Sequence, residues 1–387
     1  MKSEHPIRIA NIIEEGRLGG PQLRAAMIAS AFNQEIDTTI IFPKKNSKEF
    51  KLRCHALGAK YLLFPLTTLN RSWMAVLNYV ILFPFEVLKL SRLLKKNSFD
   101  IVHVSGGSWQ FKGILAAKLA DIKIIWELND TYVPFIIRVI FFFLSKLANG
   151  FIYGSERTKR YYKKFISTKQ QCFLIQSPVD VNYFDPTIKY QPDKFIKKNF
   201  SKKKIVIGTV ANVNPTKDFI TFIKTAKKLS NHKNEIIFIV IGSIYKSQKK
   251  YYENLLKLIR QTGIRNVYFL NSRKDVRPLL KIIDIYLCSS KNESSPLSMW
   301  EAMSMEKAIV STDVGDVKKF IINGTNGFLV KVGDADNLAN RISELIKQPK
   351  LRNTFGKHVR KIAKKELDLR ICMHLHVRMY KAINGYK

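Results

Sequence analysis

The segment DIVHVSGGSWQFKGILAAKLADIKIIWE, residues 100–127, contains two short apolar runs with a helical pattern between them. Residues 100–104 and 122–127 are rich in Ile and Val, which is typical of strands buried on both faces of a parallel sheet. Residues 109–120 have the length and apolar content of a helix. A strand, a helix and a second strand in this order predict part of a doubly wound α/β sheet.

The same alternation continues on both sides of this segment. Toward the N-terminus it predicts strands at 7–13, 38–42 and 61–66, and a helix that begins near Pro21. A helix at 134–148 and a strand at 150–153 follow. After a lysine-rich connector, further strands are predicted at 205–210, 236–242, 266–270, 285–289 and 308–312, with helices at 218–229, 251–261 and 296–305. The sequence therefore predicts two doubly wound, Rossmann-like domains, residues 1–180 and 181–365, with a ligand cleft at the carboxyl ends of both sheets.

Composition supports a folded two-domain protein in a reducing compartment. The 387 residues are 46% hydrophobic, which excludes a disordered or collagen-like chain. The four cysteines, at positions 54, 172, 288 and 372, are widely spaced and are predicted to be reduced thiols of a cytoplasmic protein. The N-terminus lacks the pattern of a signal peptide. The longest charge-free stretch has 14 residues, whereas a membrane-spanning helix needs about 20, so no span is expected.

The formal net charge of +36 raises the question of an anionic partner. Both halves of the chain are basic, and the excess lysine accompanies abundant Ile, Asn and Phe. This distribution is typical of a general compositional bias and not of a stripe that follows a nucleic-acid backbone. We therefore expect no nucleic-acid partner and favour attraction to an anionic membrane surface.

The most informative motif is SSKNESSPLSMWEAMSMEKAIVSTDVGD, residues 289–316. A predicted strand ends in a polar loop, after which Ser294 or Ser295 is expected to cap a helix with Pro296 in its first turn. The start of such a helix suits a phosphate or a sugar hydroxyl. Glu293 and Glu301 are expected to face one cleft; the alternative is that Glu293 complements the helix dipole and Glu301 is a solvated helix residue.

This motif resembles that of the retaining, nucleotide-sugar-dependent enzymes of glycosyltransferase family 4, which have the two-lobed GT-B architecture. The family has two glutamates separated by seven residues, and the second begins Glu-Ala-Met, as Glu301 does here. The resemblance implies that Glu293 and the backbone of 294–297, which includes Ser294, Ser295, Pro296 and Leu297, hold the donor sugar. It implies that Glu301 binds the nucleotide ribose. Residues 305–308 depart from the family pattern, which usually has Gly and Pro there.

A second match, TVANVNPTKDFITFIKTAKKL at 209–229, resembles the family segment that binds the donor diphosphate. Lys217 falls on the family lysine, although from the residues alone it would be an ordinary solvated lysine. The family arginine is replaced by Asn212, or by Asn214 in another register. Arg273 is therefore predicted to substitute for it.

In the first domain, the Gly19–Gly20 pair resembles a glycine loop that in the family faces the donor phosphates and the acceptor. Asn129 and Asp130 fall on the family His-Asp pair, so Asn129 cannot be a general base, and both are predicted to contact the acceptor. Asp130, Lys217 and Glu293 are the predicted catalytic residues. His103 faces either the cleft or the core; it is taken here as a third acceptor contact.

The resemblance covers nearly the whole chain and implies a final helix, 366–387, that crosses back to the first domain. It implies a retaining transferase that moves a hexose-type sugar from a nucleotide diphosphate to a glycan or lipid-linked acceptor, in cell-surface polysaccharide or glycolipid synthesis, without a cofactor or metal. The alternatives are a sugar-nucleotide epimerase and a basic binding protein with a degenerate cleft. Residues 73–96 are predicted to dock as a peripheral element on the inner face of the cell membrane, because four basic residues alternate there with apolar ones.

Overall fold

The chain folds into two compact units in a computed structural model. Met1–Ser177 and Leu369–Lys387 form the first unit, and Pro178–Asp368 form the second. The division lies three residues from each predicted boundary, and the C-terminal segment belongs to the first unit. The structure describes residues 5–31, 34–68, 73–131, 133–166, 169–191, 204–230 and 236–385.

The first unit contains a seven-stranded parallel sheet with the order β3-β2-β1-β4-β5-β6-β7. Its strands are β1 Ile7–Ile12, β2 Ile36–Pro43, β3 Tyr61–Phe64, β4 Ile101–Val104, β5 Lys123–Leu128, β6 Gly150–Tyr153 and β7 Gln171–Leu174. From β1 the chain continues through β2 to β3 on one side of the sheet. From β4 it continues through β5 and β6 to β7 on the other side. Loops therefore diverge between these two strands, which is where ligands bind in doubly wound sheets.

Helices cover both faces of this sheet. Right-handed crossovers place α1 and α2 on one face and α3 to α6 on the other. Their bounds are α1 Gly20–Ser30, α2 Lys48–Leu57, α3 Trp73–Lys96, α4 Phe111–Ala120, α5 Phe135–Ser145 and α6 Glu156–Tyr162. The C-terminal helix α14, Leu369–Asn384, packs on the α1 face through Met379 and Tyr380, which share an apolar cluster with Ile9 and Ile28.

The second unit repeats the design with six parallel strands in the order β10-β9-β8-β11-β12-β13. The strands are β8 Ile205–Val210, β9 Ile236–Ile241, β10 Val267–Leu270, β11 Ile285–Cys288, β12 Ala308–Thr312 and β13 Phe328–Val330. The helices are α7 Phe219–Lys228, α8 Lys249–Thr262, α9 Arg277–Ile282, α10 Leu297–Ser304, α11 Val317–Phe320, α12 Ala335–Lys347 and α13 Pro349–Ile362. Here the strand order reverses between β8 and β11.

Helix α3 differs from its prediction. The sequence indicated a helical pattern only after Pro84, but the helix runs unbroken through that residue from Trp73 to Lys96. A proline removes one backbone donor and displaces the carbonyl four residues earlier. Pro84 and Val80 are both exposed, so water can satisfy the displaced carbonyl. By length and composition alone, α3 could cross a membrane, and it is the one helix of the described residues that meets this test.

Candidate functional site

Lys217 and Glu293 meet at the point where the strand order of the second unit reverses. Lys217 ends the short helical turn Pro215–Lys217 after β8, and Glu293 lies in the loop after β11. The Lys217 Nζ atom lies 2.5 Å from Glu293 Oε1, and Ser290 Oγ donates to the same oxygen at 2.8 Å. The two side chains are 25% and 13% exposed. Burial disfavours the charged lysine, but the Glu293 carboxylate outweighs it and raises the pKa of Lys217.

Backbone contacts hold the two loops together. The Asn214 side chain accepts from the Thr216 N–H at 3.0 Å and starts the turn. The Lys291 N–H donates to Thr216 O at 2.8 Å, and Ser289 Oγ donates to Lys217 O at 3.0 Å. The ion pair therefore lies at a junction of two loops that these hydrogen bonds hold together. The side chains of Lys217 and Glu293 take no part in these bonds.

The helix that follows Glu293 begins later than predicted. Its N-cap residue is Pro296, so the prediction that Ser294 or Ser295 caps it is wrong. Ser295 Oγ instead accepts from Trp300 Nε1 at 3.0 Å, a bond that ties the loop to the first turns of α10. Leu297 begins the helix, and its backbone N–H is among those without an intrahelical acceptor.

Glycine is required beneath this loop. Gly315 has φ +53°, and a Cβ atom there would overlap the Ser294 carbonyl oxygen. The Asp316 N–H donates to the same carbonyl at 3.2 Å.

Glu301 is buried in α10 with 7% of its surface exposed, so the alternative of a solvated helix residue is wrong for it.

The side chains of Asn212 and Arg273 each bond to a backbone group. Asn212 Oδ1 accepts from the Ser243 N–H at 3.1 Å and so joins the loops after β8 and β9. Arg273 follows β10, which β9 separates from β8, and its Nη1 atom donates to Asn271 O at 2.9 Å. Lys217 and Glu293 are thus brought together, whereas Asn212 has a structural contact and Arg273 lies two strands away from Lys217.

Two glycine pairs lie where the strand order of the first unit reverses. Gly19 is the N-cap of α1 with an extended backbone, and Gly20 is its exposed first residue. The pair Gly106–Gly107, after β4, was not predicted as part of the site. Its φ values of +111° and +102° favour glycine. The signal in the sequence was a glycine pair between a buried strand and the next helix, as for Gly19 and Gly20.

Asp130 lies against this second glycine pair. Tyr162 donates to Asp130 Oδ1 at 2.5 Å, and Ser108 Oγ donates to Oδ2 at 2.9 Å. A Cβ atom on Gly107 would lie 3.1 Å from the Asp130 carboxylate. Burial raises the pKa of Asp130 in spite of these donors. Asp130 therefore fixes the glycine loop, and it stays in the site as a predicted residue.

His103 is not available to an acceptor. Its side chain is fully buried, its Nδ1 atom lies 2.7 Å from the Tyr380 hydroxyl and its Nε2 atom lies 3.1 Å from Glu127 Oε2. The prediction of an acceptor contact is wrong, because α14 covers this face of β4.

Asn129 Nδ2 donates to Glu127 Oε1 at 2.6 Å, so Glu127 positions Asn129. Burial opposes ionisation of Glu127, but Arg24 and His103 keep its pKa below the usual range.

Two family models match the chain. The model for glycosyl transferases group 1 matches residues 191–362, and the model for glycosyltransferase family 4 matches residues 18–183. The chain belongs to the glycosyltransferases that these two models describe. The glutamates and Lys217 that carried the resemblance lie in the part matched by the group 1 model.

Relatives of this glycosyltransferase match it over most of its length. It is 24% identical over 381 residues, 93% of this chain and 95% of the relative, to N,N'-diacetylbacillosaminyl-diphospho-undecaprenol alpha-1,3-N-acetylgalactosaminyltransferase of Campylobacter jejuni. It is 22% identical over 289 residues, 71% of this chain and 73% of the relative, to UDP-Gal:alpha-D-GlcNAc-diphosphoundecaprenol alpha-1,3-galactosyltransferase of Escherichia coli. Neither relative is an epimerase, so the epimerase alternative has no support.

The fold of the glycosyltransferase is GT-B. The crystal structure of Anabaena HepE in complex with UDP and glucose superposes with a TM-score of 0.83 at 18% identity, covering 97% of this chain and 100% of that one. The predicted class of two Rossmann-like domains is confirmed.

Proposed function

We propose that the protein is a retaining glycosyltransferase that moves a hexose-type sugar from a uridine diphosphate donor to a lipid-linked acceptor, in the synthesis of a cell-surface polysaccharide or glycolipid. The observation that carries the proposal is the Lys217–Glu293 ion pair at the strand-order reversal of the second unit. The names of the Campylobacter and Escherichia relatives support a hexose-type sugar and a diphospho-undecaprenol acceptor. The UDP in the HepE structure supports the donor base.

In this proposal the ion pair opens when the donor binds. The donor diphosphate replaces Glu293 as the partner of the Lys217 ammonium, and Glu293 turns to the hydroxyls of the sugar. Backbone N–H groups at the start of α10 face the same loop and favour negative charge. Lysine and helix dipole together stabilise the charge that develops on the leaving diphosphate, so the transfer needs no metal. Glu301 holds the ribose.

The acceptor side of the proposal rests on the first unit. Gly19, Gly20 and the loop of Asn129 and Asp130 lie at the carboxyl edge of its sheet, where ligands of this fold class bind. Helix α3 exposes nine large apolar side chains, which we propose contact the membrane that contains the acceptor: Trp73, Met74, Val76, Leu77, Val80, Ile81, Leu82, Phe85 and Leu88. Lys89, Arg92, Lys95 and Lys96 follow in its last turns, and anionic headgroups attract them. The enzyme then works as a peripheral protein of the cytoplasmic membrane face.

Donor turnover tests the function directly. Purified protein is incubated with a panel of nucleotide sugars, and release of nucleoside diphosphate is followed with and without membrane lipid extract. We expect acceptor-dependent release of UDP and loss of about 10- to 150-fold in donor affinity for Lys217→Ala, because a charged hydrogen bond is lost. Lys291→Ala is the control, since this exposed lysine lies in the loop of Glu293 and pairs with Asp218 at 3.6 Å.

Three results would contradict the proposal. Donor binding without any release, with every acceptor extract, favours a binding protein with a degenerate cleft. Equal effects of Lys217→Ala and Lys291→Ala remove the role of the ion pair. A product whose anomeric configuration is inverted, measured by NMR, removes the retaining mechanism.

A further inference from the structure

Helix α5 exposes an apolar surface that the second half of the first unit leaves uncovered. Phe135, Ile136 and Phe143 are 69%, 71% and 61% exposed, and Val139, Ile140 and Phe142 are also exposed. The helix buries Phe141 against Trp126 and Tyr162 and so needs only one of its faces for the core. An exposed apolar surface of this extent on a soluble domain marks an interaction site.

A basic helix lies beside this apolar surface. Phe141 of α5 and Tyr162 of α6 have ring centroids 5.0 Å apart, and the Arg138 guanidinium lies 5.9 Å from the Phe165 ring centroid. Residues 131–170 contain one acidic residue, Glu156, and eight basic ones: Arg138, Lys146, Arg157, Lys159, Arg160, Lys163, Lys164 and Lys169. Apolar side chains bordered by this excess of positive charge complement a bilayer with anionic headgroups.

We infer that α5 and α6 form a second membrane-binding surface, in which the phenylalanines of α5 enter the headgroup boundary of an anionic bilayer and the basic residues of α6 contact its headgroups. This surface is separate from α3. Both helices pack on the same face of the sheet, with α4 between them, and both contribute to one apolar cluster. Two attachment points on one face restrict the rotation of the domain on a membrane, which a single helix cannot do.

The second surface also sets where the acceptor reaches the domain. Helix α5 begins five residues after Asp130, so its first exposed side chains, Phe135 and Ile136, are close in the chain to the loop of Asn129 and Asp130. A bilayer in contact with them would bring a lipid-linked sugar to Asp130 only when that sugar is close to the headgroups. This step rests on the proposed function and predicts an acceptor with a short glycan.

The test is binding of the full chain to phosphatidylcholine vesicles and to vesicles with equal parts of phosphatidylglycerol. The variants are Phe142→Ser with Phe143→Ser in α5, and Lys163→Gln with Lys164→Gln after α6. The control for the first is Leu52→Ser, because Leu52 is 59% exposed on α2 at the opposite face of the sheet. The control for the second is Lys249→Gln with Lys250→Gln, on α8 of the other unit.

We expect each α5–α6 variant to lose about tenfold in binding to the anionic vesicles, and the controls to bind as the wild type does. Losses equal to those of the controls would overturn the inference. So would a wild-type dimer in gel filtration that the phenylalanine substitutions convert to a monomer, because a second copy of the chain would then cover α5. Sugar transfer to a detergent-dispersed acceptor tests the glycosyltransferase function separately from the membrane surface. If transfer is normal and the α5 substitutions do not change vesicle binding, the inference of a second membrane-binding surface is wrong and the proposed function stands.

Discussion

The carboxyl edges of the two sheets have the same topology but opposite use of charge. In the first unit the acids are buried and bonded to the protein: Glu14 accepts from the Lys112 N–H at 2.8 Å, and Glu127 pairs with Arg24 at 3.2 Å. In the second unit, Lys217 and Glu293 form a partly exposed pair. A ligand that took the partners of Glu127 would leave a buried charge uncompensated, whereas one that separates Lys217 from Glu293 leaves both charges accessible to substrate.

This difference indicates a division of labour. The first unit uses its charges to hold loops rigid, and the second keeps its charges exchangeable for a charged donor. Topology alone would have predicted equivalent sites at both reversals of strand order.

The largest expected effect is at the glycine that supports the donor loop. Gly315→Ala should cost about 3 to 4 kcal/mol of unfolding free energy, because it combines a strained positive φ with overlap of the Ser294 carbonyl. Gly324→Ala is the matched control, since Gly324 has φ +79° but its Cβ would meet no atom within 4 Å among the described residues. Urea denaturation of both variants measures the difference. Equal losses would show that backbone strain alone matters.

Glu14 tests the rigid side of the comparison. Burial raises the pKa of Glu14 to about 7 from its usual value of 4.5, in spite of Lys112 and the Tyr79 hydroxyl. The unfolded chain loses the Glu14 proton first, so the folded state holds more protons between these values and stability falls as pH rises from 4.5 to 7. Integration over this window gives about 3 kcal/mol.

Glu14→Gln should remove that decrease. Urea denaturation at several pH values in this window measures the free energy of unfolding of the variant and of the wild type. The neighbouring Glu15→Gln, whose carboxylate pairs with Arg17 at 2.6 Å on the surface, is the control and should keep the wild-type slope. A parallel pH dependence in wild type and Glu14→Gln would mean that Glu14 is ionised throughout.

In the second unit, whose charges are exchangeable, we expect substitutions of Glu293 and Glu301 to have different effects. Glu301→Ala should weaken nucleoside diphosphate binding, because it loses a ribose contact, and Glu293→Ala should mainly lower turnover, because it loses contacts to the transferred sugar. Each loss of a charged hydrogen bond is worth about 1.5 to 3 kcal/mol. Calorimetric titration with UDP separates them. Unchanged UDP affinity in Glu301→Ala would remove its ribose contact.

Part of the fold and of the candidate site could be predicted from the sequence. Strand 150–153 was placed with its observed bounds, and the motif of Glu293 and Lys217 predicted two residues that the structure joins. Local apolar runs and motif spacing contain that information. Helix α2, which is rich in polar residues, and the short edge strand β7 gave no comparable signal.

The burial of His103 could not be predicted, because it depends on a partner far away in the chain. His103 alternates with its neighbours along β4, and either face of a doubly covered strand accepts a residue that finds polar partners. The Tyr380 hydroxyl that bonds it comes from α14, 277 residues later. Periodicity within β4 carries no information on that contact.

The smallest expected effect is at Arg273. If the donor diphosphate is held mainly at the reversal between β8 and β11, Arg273→Ala should change UDP affinity by less than about 0.5 kcal/mol, and Lys217→Ala with Arg273→Ala should match the sum of the single changes. The physical reason is distance, since β9 lies between the strands that lead to the two residues. Calorimetry with UDP decides it. A double variant that departs from additivity by more than this amount would show that both residues act on one ligand charge, and Arg273 would then replace the arginine that is absent at Asn212.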